Sequence, residues 1–370
     1  MEKFGFEQKE IQKEKSIATE SARQHLDGVP DQYFEAINRY SEEEFQGFVK
    51  KLEPMRMFLK DPQSIASVGV GGGLELRVLH ELFKDKNTKI IGIDLSRKAL
   101  EVAREYLDKN NIEASLVQSG AVELPFKPNN TYINGMVLSA IIHEIYSYVH
   151  DGKFAWRKAI EEVSNTLSED GVLLVRDFAA PKTNDLVELS FLNQETKDFY
   201  KYFRERFRTF KTWNDDEIKK IVYKRVTLDD YPLLLEDSVS VVLPFCMASE
   251  LMLHYKNYVA DLKNGAIVGF PDNWKEIDER YLIPDPESVA LNVMDPEKYK
   301  DRILQCANDT LNTQGYKLEC MLSETTNRLD TANELKKYFS IRHENLDQEE
   351  LLRQATSKME LVFKKTKLTN

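Results

Sequence analysis

The hydrophobic pattern of the chain changes its period near residue 61. Before that point the polar sequence carries one apolar face at helical spacing: Phe45, Phe48, Val49 and Leu52. Ser41 and Glu44 have the spacing of a capping box at the start of that helix. Asp61-Pro62 ends the region, because the residue before a proline avoids the α conformation. Residues 1–60 are therefore predicted to form a helical extension.

Short β-branched runs alternate with helical segments from residue 61 onward. The predicted strands are Ile65–Val70, Lys89–Asp94, Ala114–Val117, Tyr132–Ile142 and Val172–Val175. Strands that alternate with helices over about 120 residues predict a parallel sheet covered on both faces.

The alternation is lost after Pro181. Residues 182–296 are mostly helical in pattern and are interrupted by prolines. It then returns as a predicted helix, a strand, a charged helical stretch and a last strand: Tyr299–Leu311, Tyr316–Leu322, residues 326–357 and Met359–Lys364.

A glycine-rich turn joins the first predicted strand to the first helix of the sheet. Gly69, Gly71 and Gly73 let a ligand approach the backbone, and the helix N-terminus adds N–H donors. Asp94, 25 residues after Gly69, ends the next strand, where a carboxylate can accept hydrogen bonds from ribose hydroxyls. Together they predict an adenosine-type ligand at the carboxyl edge of the sheet. A flexible turn without a ligand is the alternative for the glycines alone.

The composition of this 370-residue chain argues against several classes of binding partner. Its net charge of −11 argues against a general polyanion binder. Three cysteines without metal-like spacing fit a reducing compartment, and no metal site is expected. No apolar run reaches the roughly 18 residues of a membrane span, and the charged N-terminus lacks the apolar stretch of a secretory signal. We therefore expect a cytoplasmic protein that does not bind membranes.

The glycine spacing separates two kinds of adenosine ligand. A dinucleotide fingerprint needs a glycine where Leu74 stands, so the motif is G-x-G-x-G. That spacing resembles motif one of class I S-adenosylmethionine-dependent methyltransferases. Three later segments resemble, in the same order, the acidic loop, fourth strand and turn into the fifth strand of that family: Gly120–Phe126, Val137–His143 and Leu167–Leu173.

The resemblance implies a fold of the α/β class. The expected architecture is a Rossmann-like sheet of seven strands, mostly parallel with the last strand antiparallel, carrying a helical N-terminal extension and a helical insertion. Residues 61–181 and 297–370 would form the core. Residues 182–296 would be an insertion that acts as a lid over the methyl acceptor.

The same resemblance implies S-adenosylmethionine as cofactor. The backbone of Gly69, Gly71 and Gly73 would hold its methionine end, and Asp94 would hold its ribose. The other implied cofactor contacts are Leu95, Gly120, Ala121, Val122 and Ser139.

Two positions depart from the family pattern. Ser67 stands where an acid usually helps to hold the amino group of the cofactor, and Gly120 replaces the aspartate beside adenine. Either Ser119, Gln118 or Glu75 compensates, or the protein is a degenerate binding subunit.

The acceptor is expected beyond the fourth strand. His143 is the candidate general base and Glu144 its orienting partner, although a structural histidine at a helix start is the alternative. Arg176 and Asp177, at the end of the fifth strand, would contact the acceptor or pair with each other.

Residues 199–211 mix aromatic and basic side chains, a combination that can bind RNA. Because the aromatics share one helix face, a core-facing helix is favoured. The function expected from the sequence is in-line methyl transfer to an acceptor, with a small molecule favoured over RNA or protein. The alternatives are the degenerate binding subunit and a nucleotide-cofactor oxidoreductase.

Overall fold

The computed structural model describes most of the chain. The described residues are 12–20, 22–23, 26, 42–126, 133–149, 151–179, 181, 185–206, 232–235, 238–263, 296–326 and 329–368. The chain divides into two compact units. The first consists of Met1–Asp177, Lys300–Ser323 and Glu360–Asn370, and the second of Phe178–Tyr299 and Glu324–Met359.

Ten strands are described. They are β1 Ser64–Val68, β2 Lys89–Asp94, β3 Ser115–Gln118, β4 Ile133–Ser139, β5 Leu167–Phe178, β6 Leu186–Phe191, β7 Ser240–Pro244, β8 Tyr316–Thr326, β9 Phe339–Arg342 and β10 Lys358–Lys367.

The helices with defined bounds are α1 Glu42–Phe58, α2 Leu74–Phe83, α3 Arg97–Lys109, α4 Ile142–Tyr148, α5 Gly152–Thr166, α6 Gln194–Arg206, α7 Phe245–Lys263, α8 Pro296–Leu311, α9 Leu329–Leu335 and α10 Gln348–Ala355. Residues 12–20 are also helical and are called the N-terminal segment below.

Seven strands form one sheet in the order β3-β2-β1-β4-β5-β10-β8. The pairs β1–β2, β1–β4, β2–β3 and β4–β5 are parallel, and the last strands are antiparallel. This confirms the predicted fold class. The order reverses between β1 and β4, and such a switch point opens a crevice at the carboxyl ends of the strands.

The sheet core forms because its central strands are buried on both faces, as the strands of a parallel sheet are. All five residues of β1 are buried. Helix α1 packs over β4 at Gly135, where an added Cβ would meet the side chains of Met55 and Leu59. The apolar face predicted for this helix lies in the core cluster. Ser41 of the expected capping box lies outside the described residues.

The second unit contains a small antiparallel sheet in the order β7-β6-β9. Its strands lie in stretches that the sequence pattern predicted as mostly helical. Each strand is only four to six residues long, and β6 pairs with a strand about 150 residues later in the chain. A local pattern shows neither feature.

Helices α6 and α7 pack together through aromatic rings in the second unit. Phe199 contacts Tyr255 and Tyr258, with ring centroids 5.1 and 5.2 Å apart. Phe199 and Phe203 are fully buried. The first two aromatic residues of the helix face predicted over residues 199–211 therefore belong to the core. Phe207 and Phe210 lie outside the described residues.

In the described part of the chain, no helix combines the length and the apolar character that a membrane crossing requires.

Candidate functional site

The glycine turn between β1 and α2 has a backbone that only glycine adopts readily. Gly69, Gly71 and Gly73 have φ values of 78°, 48° and 95°. The turn is also tightly enclosed. A Cβ on Gly73 would lie 3.0 Å from the Cα of Ala103, and a Cβ on Gly69 would lie 2.6 Å from the end of the Ile141 side chain. Packing as well as backbone conformation therefore requires these two positions to lack side chains.

The structure brings Asp94 to this turn. One carboxylate oxygen accepts a hydrogen bond from the N–H of Gly71 at 3.1 Å, and the other accepts one from the N–H of Ser96 at 2.8 Å. Burial raises the pKa of the Asp94 carboxyl to about 6, although these backbone donors lower it. Each oxygen of an ionised carboxylate has further lone-pair capacity, which suits the two hydroxyls of a ribose.

The loop after β3 contains the residues implied beside adenine. Leu95 lies next to Gly120, since a Cβ on that glycine would be 3.9 Å from its side chain. Ala121 and Val122 belong to a small apolar cluster. The two polar residues of this loop that were considered as replacements for the missing aspartate both bond to nearby backbone carbonyls. Gln118 donates to the carbonyl of Leu95 at 3.1 Å, and Ser119 donates to the carbonyl of Glu123 at 2.6 Å.

The N-terminal segment also reaches this loop, which the sequence pattern did not indicate. Ala18 is fully buried in the cluster that contains Val122. Thr19 lies 3.8 Å from the position of a Cβ on Gly120, and its buried hydroxyl has no hydrogen-bond partner among the described residues. No sequence motif connects residues so far apart in the chain.

Glu75 occupies the crevice between β1 and β4. It lies in the first turn of α2 and accepts a hydrogen bond from the hydroxyl of Ser67. The hydroxyl of Ser139 donates to the same carboxylate. The serine that replaces the expected acid of β1 thus contacts an acid supplied by the next helix.

His143 lies at the start of α4 and is 2% exposed. Its Nδ1 is 2.8 Å from a carboxylate oxygen of Asp177, which is fully buried. The other oxygen of Asp177 accepts from the backbone N–H groups of Ile142 and His143, each at 3.1 Å. The orienting carboxylate at His143 is therefore that of Asp177, where the sequence favoured Glu144, because β5 ends directly beside the start of α4.

Arg176 and Asp177 do not form the ion pair considered from the sequence. Neighbours along a strand point to opposite faces of the sheet. Arg176 instead donates through Nε to the carboxylate of Glu360 at 2.7 Å, and both side chains are buried. Glu360 lies in β10, so only the strand order places it beside β5.

The residues at this edge fit S-adenosylmethionine. The glycine turn leads directly into the start of α2. Asp94 offers acceptors for hydroxyls, and Glu75 offers a second carboxylate in the same crevice. The left-handed glycines supply the approach that a bulky ligand needs. All these groups lie in the first unit.

This sheet order, together with the glycine turn and the acid that ends β2, matches the Rossmann-like fold of class I S-adenosylmethionine-dependent methyltransferases. S-adenosylmethionine is the cofactor of that class. Residues 65–171 match a family described as a methyltransferase domain. That match contains the turn, Asp94 and His143.

One curated relative is the ribosomal protein L11 methyltransferase of Dictyoglomus thermophilum, which is 29% identical over 146 residues. The match covers 40% of this chain and 42% of that protein, so the chain spans less than half the length of the relative.

Two similar solved structures are methyltransferases by title. The N-methyltransferase NodS from Bradyrhizobium japonicum, in complex with S-adenosyl-L-homocysteine, is 14% identical with a TM-score of 0.32 over 43% of this chain and 74% of that one. A SAM-dependent methyltransferase from Aquifex aeolicus is 18% identical with a TM-score of 0.29 over 38% and 74%. With TM-scores below 0.5, neither structure bears on the chemistry of this chain.

Proposed function

We propose that this protein transfers a methyl group from S-adenosylmethionine to a small-molecule acceptor. The observation that carries the proposal is the hydrogen bond between the open turn at Gly71 and the carboxylate of Asp94. This contact supports the proposal, because it holds a carboxylate against the glycine turn beside the switch point. The domain match over residues 65–171 supports the same chemistry.

The protein has little covalent work to do in such a reaction. When bound, the cofactor supplies an activated methyl group on a sulfonium, which a correctly aligned nucleophile can accept. The role of the site is to fix the donor and hold the acceptor in line with it. Gly69, Gly71 and Gly73 would hold the amino-acid end through their backbone, and Asp94 would fix the sugar.

The pair of His143 and Asp177 is the proposed general base. A neutral histidine that donates its Nδ1 proton to Asp177 carries its lone pair on Nε2, the tautomer that can accept a proton from an acceptor. The short bond and the burial of Asp177 hold the ring in one orientation. A base of this kind contributes only where the acceptor loses a proton at the barrier.

His143→Asn tests this role, because the asparagine amide can still donate to Asp177 while the Nε2 acceptor is lost. We expect turnover to fall by about 10²–10⁴-fold with the affinity for S-adenosylhomocysteine unchanged. Measurement of kcat beside calorimetric affinity separates the two effects. Full turnover would show that His143 only supports the start of α4.

Charge favours a small acceptor over a nucleic acid. The chain carries a net charge of −11, which opposes binding to a polyanion. Phe199 and Phe203, two of the aromatic residues considered for stacking on bases, are buried in the second unit. The relative named for ribosomal protein L11 keeps a protein acceptor as the competing outcome. The role of residues 182–296 in acceptor recognition stays a prediction, as does a cytoplasmic location.

Calorimetry with two cofactors tests the donor. We expect S-adenosylhomocysteine to bind and NADH not to bind. The reason is that Leu74, which is buried, stands where a dinucleotide loop needs its third glycine. Binding of NADH alone would support the oxidoreductase and reject the proposal.

Incubation with methyl-labelled S-adenosylmethionine and fractionated cell extract tests the acceptor. We expect the label to enter the low-molecular-weight fraction. Label in protein or RNA would replace the proposed acceptor class. Tight cofactor binding with no transfer to any fraction would identify a degenerate binding subunit.

A further inference from the structure

Glu75 stands at the point where the strand order of the large sheet reverses. Its carboxylate accepts hydrogen bonds from the hydroxyl of Ser67 in β1 and from that of Ser139 at the end of β4. These two strands are neighbours in the sheet. The side chain therefore spans the crevice beside the glycine turn, although it belongs to α2.

The charges around Glu75 leave its carboxylate without a bonded cation in the described part of the chain. Its hydrogen bonds come from two neutral hydroxyls. Arg176 of β5 attracts it only at longer range and is itself bonded to Glu360 of β10. Asp94 of β2 and the pair of His143 and Asp177 are further titratable groups at this edge in the described part of the chain.

The amino-acid tail of the cofactor carries one anion and one cation. Its carboxylate suits the N-terminal end of α2. Its ammonium needs an acceptor, and charge makes such a hydrogen bond strong. Asp94 already accepts from Gly71 and Ser96 on the side of β2. Glu75, which bonds to Ser67 two residues before the turn, is a second carboxylate beside it.

We propose that Glu75 binds the ammonium group of the amino-acid tail and thereby supplies, from α2, the acid that Ser67 does not provide. This inference rests on the proposed function, since it assigns a residue within the same cofactor site. Ser67 and Ser139 would act as positioning residues that hold the Glu75 carboxylate toward the tail.

Ionisation of Glu75 makes the interaction sensitive to pH. Desolvation raises the pKa of the Glu75 carboxyl to about 7, against the lowering effect of the two hydroxyls and Arg176. A protonated carboxyl cannot pair with an ammonium. Affinity for a ligand that carries the ammonium should therefore rise as the pH increases from 6 to 8.

Two ligands separate the tail from the rest of the cofactor. S-adenosylhomocysteine carries the amino-acid tail, and 5′-deoxy-5′-methylthioadenosine has the same nucleoside without it. Calorimetry at pH 8 would compare the unmodified protein with Glu75→Gln, which has nearly the same shape. Glu81→Gln, in the same helix and paired with exposed Lys84, is the matched control.

Glu75→Gln should weaken S-adenosylhomocysteine by about tenfold or more and leave methylthioadenosine within about twofold. Glu81→Gln should change neither. The ratio of the two affinities should rise from pH 6 to pH 8 in the unmodified protein and stay flat in Glu75→Gln. This ratio cancels the titration of Asp94, which would affect both ligands.

The remaining outcomes would each contradict the proposed role of Glu75 or the proposed function. An equal loss for both ligands would show that Glu75 only supports the fold of the crevice, and an unchanged affinity for S-adenosylhomocysteine would remove Glu75 from the site. Failure of the unmodified protein to bind S-adenosylhomocysteine would instead reject the proposed function.

Discussion

At the scale of single residues, Gly73 combines two demands that no other residue type meets. Its φ of 95° is unfavourable for any side chain, and a Cβ there would press on the backbone of α3 at Ala103. Gly315 has a similar φ of 81°, but nothing lies within 4 Å of its missing Cβ. A comparison of Gly73 with Gly315 therefore distinguishes the cost of backbone strain from the cost of a steric clash.

Gly315→Ala should lower the free energy of unfolding by about 1–2 kcal/mol, the cost of a left-handed alanine. Gly73→Ala should cost more, since α2 and α3 must also move apart, and it should weaken S-adenosylhomocysteine. Chemical denaturation and calorimetry would measure the two effects. Equal losses of stability in both variants would mean that the contact with Ala103 is unimportant.

Glu75, the proposed binding residue, reduces the stability of the folded protein. Its folded pKa of about 7 lies above the ordinary value of 4.5, so the folded protein holds this proton more tightly than the unfolded chain. Stability must then fall as the pH rises from 4.5 toward 7, and the cost is fully present above the folded pKa. The shift corresponds to roughly 3 kcal/mol.

Glu75→Gln should therefore increase the free energy of unfolding of the ligand-free protein more at pH 8 than at pH 5. The glutamine amide keeps hydrogen bonds to Ser67 and Ser139, because hydroxyls can also accept. Urea denaturation of both proteins at the two pH values would measure the difference. A stability difference that does not change with pH would contradict the raised pKa.

At the scale of secondary structure elements, the N-terminal segment covers the loop beside Gly120. Ala18 is buried against the cluster that contains Val122 and Ile145. Gln12 donates to Glu123 at 3.3 Å, and Lys15 pairs with Glu162 of α5. These contacts tie a short helix to the adenine side of the proposed site.

Ala18→Glu should detach this segment, because a charge cannot be buried in an apolar cluster. We expect weaker binding of S-adenosylhomocysteine and faster amide exchange at residues 120–124. Ser16→Glu, on the exposed side of the same helix, is the matched control and should leave both unchanged. Equal behaviour of the two variants would show that the segment does not contribute to the site.

The same scale shows why part of the site could not be read from the chain. The turn at Gly69–Gly73 and the acid at Asp94 lie in adjoining elements, so their spacing predicted that they meet. Glu360 and Asp177 meet their partners only because of the strand order and the position of α4. Such contacts depend on which strands become neighbours, which no local pattern encodes.

At the scale of the whole molecule, the chain forms two units and the proposed cofactor residues lie in the first. Hydrogen exchange should therefore slow on addition of S-adenosylhomocysteine at residues 69–75 and 94–96. Exchange in α6 and α7 of the second unit should not change. Protection confined to those two helices would place the ligand elsewhere and contradict the proposed site.

The second unit includes more of the chain than the insertion predicted from the sequence. Residues 182–296 were expected to be the inserted part, and the described structure also assigns Glu324–Met359 to that unit. Strand β9 explains this, because its residues pair with β6. Only four residues long, β9 lies between two helices whose charged sequence obscures its alternation.

The sequence by itself determined the class of fold and predicted the core of the proposed site, because periodicity, glycine spacing and strand-end acids are local properties. Tertiary structure alone decided that Asp177 holds His143, that Arg176 pairs with Glu360, and that Glu75 contacts Ser67. Carboxylates are interchangeable in sequence, and each acquires a partner only when packing removes it from water and brings one donor within reach.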